Sequence, residues 1–181
     1  MARTATRAKA HPFPLRGSLG DSCHVGDELG GSEAVILHVS EVFGPTLQGE
    51  GPYTGRIAMF LRLGGCNLSC SWCDTPYTWD GGRFSLRHEI TPRPVAEIIE
   101  QLDASPGIVV ITGGEPLLQA GSKSFAHLLV ELHRRGRHVH IESNGTLLPS
   151  AEVLDGLDVI ILSPKLRNAG GHRGNQNPAL H

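Results

Sequence analysis

Short apolar segments alternate along this chain with segments in which apolar residues recur at helical spacing. The short segments are rich in β-branched residues and are bounded by glycine, proline or polar residues, which is typical of β-strands. Ile108–Ile111 is an unbroken apolar run, as expected for a strand that is covered on both faces. The predicted strands are Val35–Phe43, Ile57–Leu63, Ile108–Ile111, His138–Ile141 and Val159–Leu162.

Two helices are predicted between these strands. In each, four apolar residues occupy positions i, i+3, i+4 and i+7, which places them on one helix face. The two sets are Val95, Ile98, Ile99 and Leu102, and then Phe125, Leu128, Leu129 and Leu132. Ser124 is a candidate N-cap of the second helix, and Gly136 is its candidate end. Because strands and helices alternate, we predict an α/β fold with a parallel sheet built from βα units.

Residues 1–34 differ from the rest of the chain. The first sixteen contain four basic residues and no acid, and five glycines follow before position 32. We expect this segment to be a disordered extension, because it cannot bury enough apolar surface to become ordered. Residues 35–181 are expected to form one domain. An arginine-rich, acid-poor N-terminus is also typical of an organellar transit peptide, and this alternative stays open.

Composition narrows the class of protein. The formal net charge is −2, and no apolar run approaches the roughly 18 residues of a membrane span. Both features argue against a nucleic-acid or membrane binder. Cys66, Cys70 and Cys73 lie within eight residues of one another, whereas Cys23 stands apart. Clustered thiols without a secretory signal are typical of metal ligands in a reducing compartment, so we expect a cytoplasmic protein.

Four polar or glycine-rich segments each follow a predicted strand directly. They are Cys66–Cys73, Thr112–Pro116, Ser143–Thr146 and Ser163–Lys165. Folds with parallel strands place their active sites at the carboxyl ends of those strands. We therefore expect these four segments to meet in one site.

The three clustered cysteines have the spacing C-x3-C-x2-C. This spacing lets one short loop hold three corners of an iron–sulfur cluster, and three ligands leave one iron open to a substrate. Two alternatives stay open. One is a non-catalytic binding module around a zinc site, with Cys23 or a histidine as fourth ligand, although zinc sites more often use paired C-x2-C motifs. The other is a plain electron carrier, for which a fourth cysteine is expected.

With this spacing after a strand, the chain resembles the radical S-adenosylmethionine (SAM) superfamily. The resemblance implies that Cys66, Cys70 and Cys73 are the catalytic ligands of a [4Fe–4S] cluster. It also implies that SAM binds the fourth iron and is cleaved to an adenosyl radical by an electron from the cluster. Thr112–Pro116 resembles the GGEP segment of the superfamily. Its glycines let backbone approach a ligand, and its carboxylate, here that of Glu115, matches the ammonium group of SAM.

Further segments resemble the 7-carboxy-7-deazaguanine synthases, from about residue 39 to the C-terminus. These segments are Glu41–Phe43, Leu47–Gly51, Cys73–Thr75 and Leu162–Lys165. The resemblance implies a partial (β/α) barrel that converts 6-carboxy-5,6,7,8-tetrahydropterin to 7-carboxy-7-deazaguanine with loss of ammonia, in queuosine and 7-deazapurine biosynthesis. It also implies Mg²⁺, a flavodoxin- or ferredoxin-type electron donor and a homodimer.

The same resemblance implies which residues bind each group. The residues expected to bind the pterin are Leu47, Gln48, Gly49, Arg62 and Thr112. Among them, the guanidinium of Arg62 suits the substrate carboxylate. The hydroxyl of Thr75 is expected to bind Mg²⁺, a hard ion that prefers oxygen ligands. The residues expected around SAM are Trp72, Cys73, Asp74, Gly114, Ser163, Pro164 and Lys165.

The chain departs from this family in two respects. Ser143 stands where the family usually has threonine; a hydroxyl is retained, so little effect is expected. A full eight-unit barrel takes about 250 residues, and family members continue beyond the segment that Pro178–Leu180 resembles. We therefore expect the closing strand and tail of the barrel, its C-terminal part, to be missing. The alternative within the superfamily is a glycyl-radical-activating enzyme, against which Asp74–Thr75 and Ser163–Lys165 argue.

Overall fold

A six-stranded sheet forms the centre of the fold. The computed structural model describes residues 35–105 and 107–170. The strands are β1 (Ile36–Leu47), β2 (Ile57–Leu63), β3 (Thr91–Pro94), β4 (Ile108–Gly113), β5 (His138–Ser143) and β6 (Val159–Leu162). The helices are α1 (Leu86–Glu89), α2 (Val95–Leu102), α3 (Lys123–Arg134) and α4 (Ala151–Asp155). The strand order is β3-β1-β2-β4-β5-β6, so the sheet is open and not closed into a barrel.

The direction of the strands confirms the predicted α/β fold with one correction. Strands β2, β4, β5 and β6 are parallel, as expected for a partial barrel. Strand β1, however, is antiparallel to β2, and β3 is antiparallel to β1. The predicted parallel sheet is therefore confirmed for these four strands, whereas β1 and β3 add two antiparallel pairings that were not predicted. The connection from β1 to β2 spans residues 48–56 only, and a parallel pair needs a longer crossover.

Helices α2 and α3 pack on one face of the sheet. Every apolar residue that their spacing placed on the inner face is buried. They form the main core together with strand residues such as Leu61, Val109 and Ile111. Burying one such side chain stabilises the fold by about 1.5–3 kcal/mol. Because side chains alternate along a strand, Phe60 and Val110 point to the opposite face, in a much smaller apolar cluster.

The ends of α3 show which capping signals were predicted well. The Oγ of Ser122 accepts a hydrogen bond from the N–H of Phe125 at 3.1 Å, so Ser122 is the N-cap. Ser124 lies inside the first turn, and its prediction as the cap was wrong by two residues. Gly136 follows the helix with a φ of +68°. That left-handed conformation favours glycine and confirms the predicted helix end.

Some predictions concern parts of the chain outside the described residues. These are the disordered extension at positions 1–34, the thiol of Cys23, and the tail from position 171 onwards. Between residues 35 and 170, no helix is both long enough and apolar enough to cross a membrane.

Replacing Ser122 by alanine should lower the free energy of unfolding by about 1 kcal/mol, because α3 loses its capping acceptor. Ser124→Ala is the matched control, since it removes a hydroxyl from the same turn without removing a cap. Urea denaturation monitored by circular dichroism measures both. An equal loss of stability in the two variants would contradict the assignment of the cap.

Candidate active site

The carboxyl ends of the parallel strands meet at two adjoining cavities. The first has a volume of about 360 Å³, and the loop after β2 lines it with Cys66, Cys70 and Cys73. The second has a volume of about 240 Å³ and is lined by Arg62 and Thr112, among others. The residues common to both walls are Glu50, Asp74, Thr75, Gly113, Gly114, Asn144 and Lys165. The four polar segments that follow the predicted strands therefore lie at one site.

Two of the three thiols accept hydrogen bonds from N–H groups. The backbone N–H of Leu68 donates to the sulfur of Cys66 at 3.4 Å, and the indole N–H of Trp79 donates to the sulfur of Cys73 at 3.3 Å. Such bonds stabilise thiolates that hold iron–sulfur clusters and tune their potentials. The donor set and its hydrogen bonds therefore fit a [4Fe–4S] cluster.

Burial sets the protonation of the free thiols. Burial raises the pKa of the Cys66 thiol to about 11, and burial also raises the pKa of Cys70. Both thiols are therefore protonated near neutral pH, and they release protons when a metal binds. In the part of the chain that the structure describes, no three His, Cys, Asp or Glu side chains converge on a single metal ion. The ligands of a zinc ion must converge on one point, whereas in an iron–sulfur cluster each thiolate binds a different iron. The three cysteine sulfurs therefore need not converge to hold a cluster.

Two glycines let the end of β4 approach the cysteine loop. A Cβ on Gly113 would lie 2.2 Å from the carbonyl oxygen of Leu63, and a Cβ on Gly114 would lie 2.1 Å from that of Gly65. The N–H of Glu115 donates to the same Gly65 oxygen at 2.8 Å. These glycines are therefore required by contact between two backbone segments, and this contact holds the segment that leads into Cys66.

The carboxylate of Glu115 is buried and does not line either cavity. It accepts hydrogen bonds from the N–H of Leu117 at 3.0 Å, the N–H of Asn144 at 2.8 Å and the hydroxyl of Ser143 at 3.0 Å. Burial raises its pKa, and these donors oppose that shift. The expectation that this carboxylate faces a ligand ammonium does not match its position. Instead, Glu115 joins the end of β4 to the end of β5.

A ring of polar side chains joins β5 to the cysteine loop. The amide of Asn144 donates to the Oδ1 of Asn67 at 3.0 Å, and the amide of Asn67 donates to the hydroxyl of Thr146 at 2.7 Å. That hydroxyl donates back to the Oδ1 of Asn144 at 2.6 Å. Asn67 directly follows Cys66 in sequence, so this closed ring fixes the start of the cysteine loop.

Most residues expected around SAM lie on the cavities. Trp72, Asp74, Gly114 and Lys165 line the first cavity, as Cys73 does, and Ser163 lines the second. The ammonium of Lys165 donates to the hydroxyl of Ser163 at 2.7 Å. Pro164 is exposed and lies outside both linings. Thr75, the expected Mg²⁺ ligand, is nearly buried between the cavities, with its hydroxyl 3.7 Å from the sulfur of Cys73.

The residues expected to bind the pterin fall into two groups. Arg62 and Thr112 line the second cavity, whereas Leu47, Gln48 and Gly49 line neither. Leu47 is 61% exposed, and Gly49 is also exposed. Gln48 is buried, and its amide donates to the carboxylate of Glu142 at 3.1 Å.

Several residues that line the cavities were not predicted as site residues from the sequence, and three of them carry a carboxylate or an amide. Glu50 and Asn144 line both cavities, and Glu142 lines the second. Glu50 lies in the LQGEG motif and Asn144 in the ESNGT motif. Both motifs were recognised in the sequence, but neither residue was predicted to be part of the site. Period-two alternation along β5 was the available signal for Glu142, because it places this residue on the same face as His140.

Comparisons with known proteins agree on one superfamily. The family model for the Radical SAM superfamily matches residues 61–163. The 7-carboxy-7-deazaguanine synthase of Rhodopirellula baltica is 42% identical over 138 residues, which is 75% of this chain and 48% of that protein. The enzyme of the same name from Hyperthermus butylicus is 45% identical over 116 residues, which is 62% of this chain and 44% of that protein.

A solved structure is also similar. The crystal structure of QueE from Escherichia coli matches with a TM-score of 0.57 and 29% sequence identity, and covers 76% of this chain and 64% of that one. The chain thus spans about half the length of the curated relatives it matches.

Glu115→Gln should lower the free energy of unfolding by roughly 1–3 kcal/mol, because an amide cannot accept every hydrogen bond that the carboxylate accepts and leaves a buried N–H unpaired. Glu100→Gln is the matched control, since Glu100 is exposed on α2. Urea denaturation of the protein without iron measures both variants. Unchanged stability in Glu115→Gln would contradict the bracing role of the carboxylate.

Proposed function

The chain belongs to the radical SAM superfamily, and from this we propose that it converts 6-carboxy-5,6,7,8-tetrahydropterin to 7-carboxy-7-deazaguanine with release of ammonia. The pterin ring contracts in this reaction, which serves the synthesis of queuosine and other 7-deazapurines. The names of the similar enzymes from Rhodopirellula baltica and Hyperthermus butylicus support the proposal.

One observation carries the proposal. The cavity with three thiols and the cavity with Arg62 share a wall that includes Thr75, Gly114 and Lys165. A radical enzyme for a small anionic substrate needs this arrangement, because the cofactor and the substrate carbon must lie next to each other. The second cavity offers a guanidinium, four hydroxyl groups and two aromatic rings, which suit a flat, carboxylated heterocycle.

Cys66, Cys70 and Cys73 would each hold one iron of a [4Fe–4S] cluster and leave the fourth iron to SAM. When bound, this pair supplies the one-electron chemistry that homolytic cleavage of a substrate C–H bond requires. The N–H groups of Leu68 and Trp79 stabilise negative charge on two of the sulfurs.

The residues assigned to SAM are Trp72, Cys73, Asp74, Gly114, Ser163, Pro164 and Lys165. Lys165 provides an ammonium, oriented by the hydroxyl of Ser163, for the carboxylate of SAM. Gly114 presents its backbone to the cavity without a side chain. The assignment of Pro164 rests on the resemblance alone.

In the second cavity, Arg62 would bind the carboxylate of the pterin, and the hydroxyl of Thr112 would bind the ring. Phe43 and Phe60 form an apolar floor, with ring centroids 4.9 Å apart. Gln48 would contribute through Glu142, to which it donates a hydrogen bond. Leu47 and Gly49 are assigned on the resemblance alone.

Mg²⁺ is part of the proposal. Thr75 supplies a hydroxyl at the wall between the cavities, next to the carboxylate of Asp74. Oxygen ligands of this kind suit Mg²⁺, which would complete its coordination with water and substrate oxygens. The ion would then orient the substrate against the first cavity.

The expected partners and location also belong to the proposal. A radical SAM enzyme needs a reductant, and we assign a flavodoxin- or ferredoxin-type protein to this role. We further assign a homodimer in the cytoplasm. Size-exclusion chromatography with light scattering of the full chain tests the homodimer directly.

The proposed activity is tested by anaerobic incubation of the iron-reconstituted full chain with SAM, dithionite, Mg²⁺ and the pterin, with products identified by mass spectrometry. We expect 7-carboxy-7-deazaguanine and ammonia in equal amounts. Cys66→Ala should lose the absorbance near 400 nm as well as the product, because a thiolate ligand is missing. Cys23→Ala is the control and should retain both. A colourless wild-type protein, or SAM cleavage without pterin conversion, would contradict the proposal.

Replacing Thr75 by alanine should lower pterin turnover by about 100-fold, because a pre-positioned ligand of the metal is removed. Reductive cleavage of SAM and the absorbance near 400 nm should change little. Thr75→Ser keeps the hydroxyl and serves as the control, with turnover close to wild type. Parallel loss of SAM cleavage and pterin turnover would instead place Thr75 in the SAM or cluster site.

A further inference from the structure

The guanidinium of Arg62 is held from two sides. Its Nε donates a hydrogen bond to the Oε1 of Glu41 at 2.7 Å, and its Cζ lies 5.3 Å from the ring centroid of Phe43. Within residues 35–105 and 107–170, no hydrogen bond uses the two terminal nitrogens of Arg62. Because Arg62 lines the second cavity, those nitrogens are available to a ligand there.

A β-bulge places Glu41 opposite this arginine. Val39 pairs with Leu63, but Glu41 pairs with Arg62, so β1 carries one extra residue at Ser40. In a strand without a bulge, residues 39 and 41 would share one face, and Glu41 would then point with Val39 into the main apolar core under the helices. Bulges near active sites redirect side chains, and this one turns a carboxylate to the cavity face of the sheet.

Glu41 also contacts the segment that follows Thr75. The hydroxyl of Tyr77 donates to the same Oε1 of Glu41 at 3.0 Å. Tyr77 lies in the 3-10 turn Pro76–Thr78, directly after Thr75. One carboxylate oxygen therefore joins the arginine on β2 to the turn beside the proposed magnesium ligand.

The ion pair contributes little to overall stability, because the side chain of Glu41 is 42% exposed and its charge is screened by water. A role in orientation fits the geometry better. Arginine loses much rotamer freedom when it binds a ligand, and an arginine oriented in advance has lost that freedom already.

We infer that Glu41 is a positioning residue. It holds the Nε edge of Arg62 so that the two terminal nitrogens face the second cavity and grip a substrate carboxylate, and Tyr77 holds Glu41 in turn. This inference rests on the proposed function, in which Arg62 binds the carboxylate of the pterin. It adds a specificity determinant: Glu41 fixes where a carboxylate must lie on the substrate.

Glu41→Gln tests this role in the iron-reconstituted full chain. The variant keeps the size and an acceptor oxygen but loses the charge. The KM for the pterin should rise about tenfold, the scale of a hydrogen bond to a charged group, with kcat within about twofold. The dissociation constant of 6-carboxypterin, measured by fluorescence quenching without turnover, should rise by the same factor. Glu131→Gln breaks a comparable pair with Arg134 on α3 and should change neither quantity.

A double-mutant cycle separates an effect through Arg62 from a general structural effect. Arg62→Ala should weaken 6-carboxypterin binding, and adding Glu41→Gln to that variant should cause no further loss. Tyr77→Phe provides a second variant that keeps Glu41 intact. It should raise the dissociation constant by a few-fold, again only while Arg62 is present.

The outcomes distinguish failure of the inference from failure of the proposed function. Unchanged 6-carboxypterin binding in Arg62→Ala would overturn the assignment of Arg62 itself, and the inference with it. A second outcome is that Arg62→Ala weakens 6-carboxypterin binding while both Glu41→Gln and Tyr77→Phe bind it like the wild type. That outcome would overturn the positioning role alone. Additive losses in the double variant would overturn it as well, because Glu41 would then act independently of Arg62.

Discussion

A carboxylate without access to water must find all its hydrogen-bond donors inside the protein, and that of Glu115 finds them on two strand ends. The donors from Ser143 and Asn144 fix the end of β5 relative to β4. The side chain of Asn144 then continues to Asn67, beside Cys66. The position of the cysteine loop therefore depends on one buried charge that lies outside both cavities.

Local patterns were sufficient to predict most of the fold. Strands β2, β4, β5 and β6 and the buried faces of α2 and α3 lie where apolar spacing placed them. Two features had no local signal. The direction of β1 depends on the length of its connection to β2, and β3 is a short edge strand with two prolines, which few strand-forming patterns contain.

Motifs predicted the location of the candidate site better than the orientation of its side chains. Cys70, Thr75 and Lys165 line the first cavity because the loops after parallel strands converge. Gln48 and Glu115 belong to equally clear motifs, yet both side chains turn inward and brace the backbone. A motif identifies a segment, whereas the face that each residue presents depends on contacts between segments that are distant in sequence.

The face of the sheet to which each side chain of β1 points depends on the number of residues in the strand as well as on residue type. Successive side chains of a strand point to opposite faces of the sheet, and the bulge at Ser40 interrupts this alternation between Val39 and Glu41. Deleting Ser40 would restore unbroken alternation and leave Leu37 and Val39 in the helix-packed core and Glu41 and Phe43 on the cavity face. Deleting Val42 instead would make Glu41 and Phe43 adjacent, and one of them would then leave the cavity, because neighbouring residues of a strand point to opposite faces. A sequence could thus keep both residues and still lose one of them from the site through one deletion.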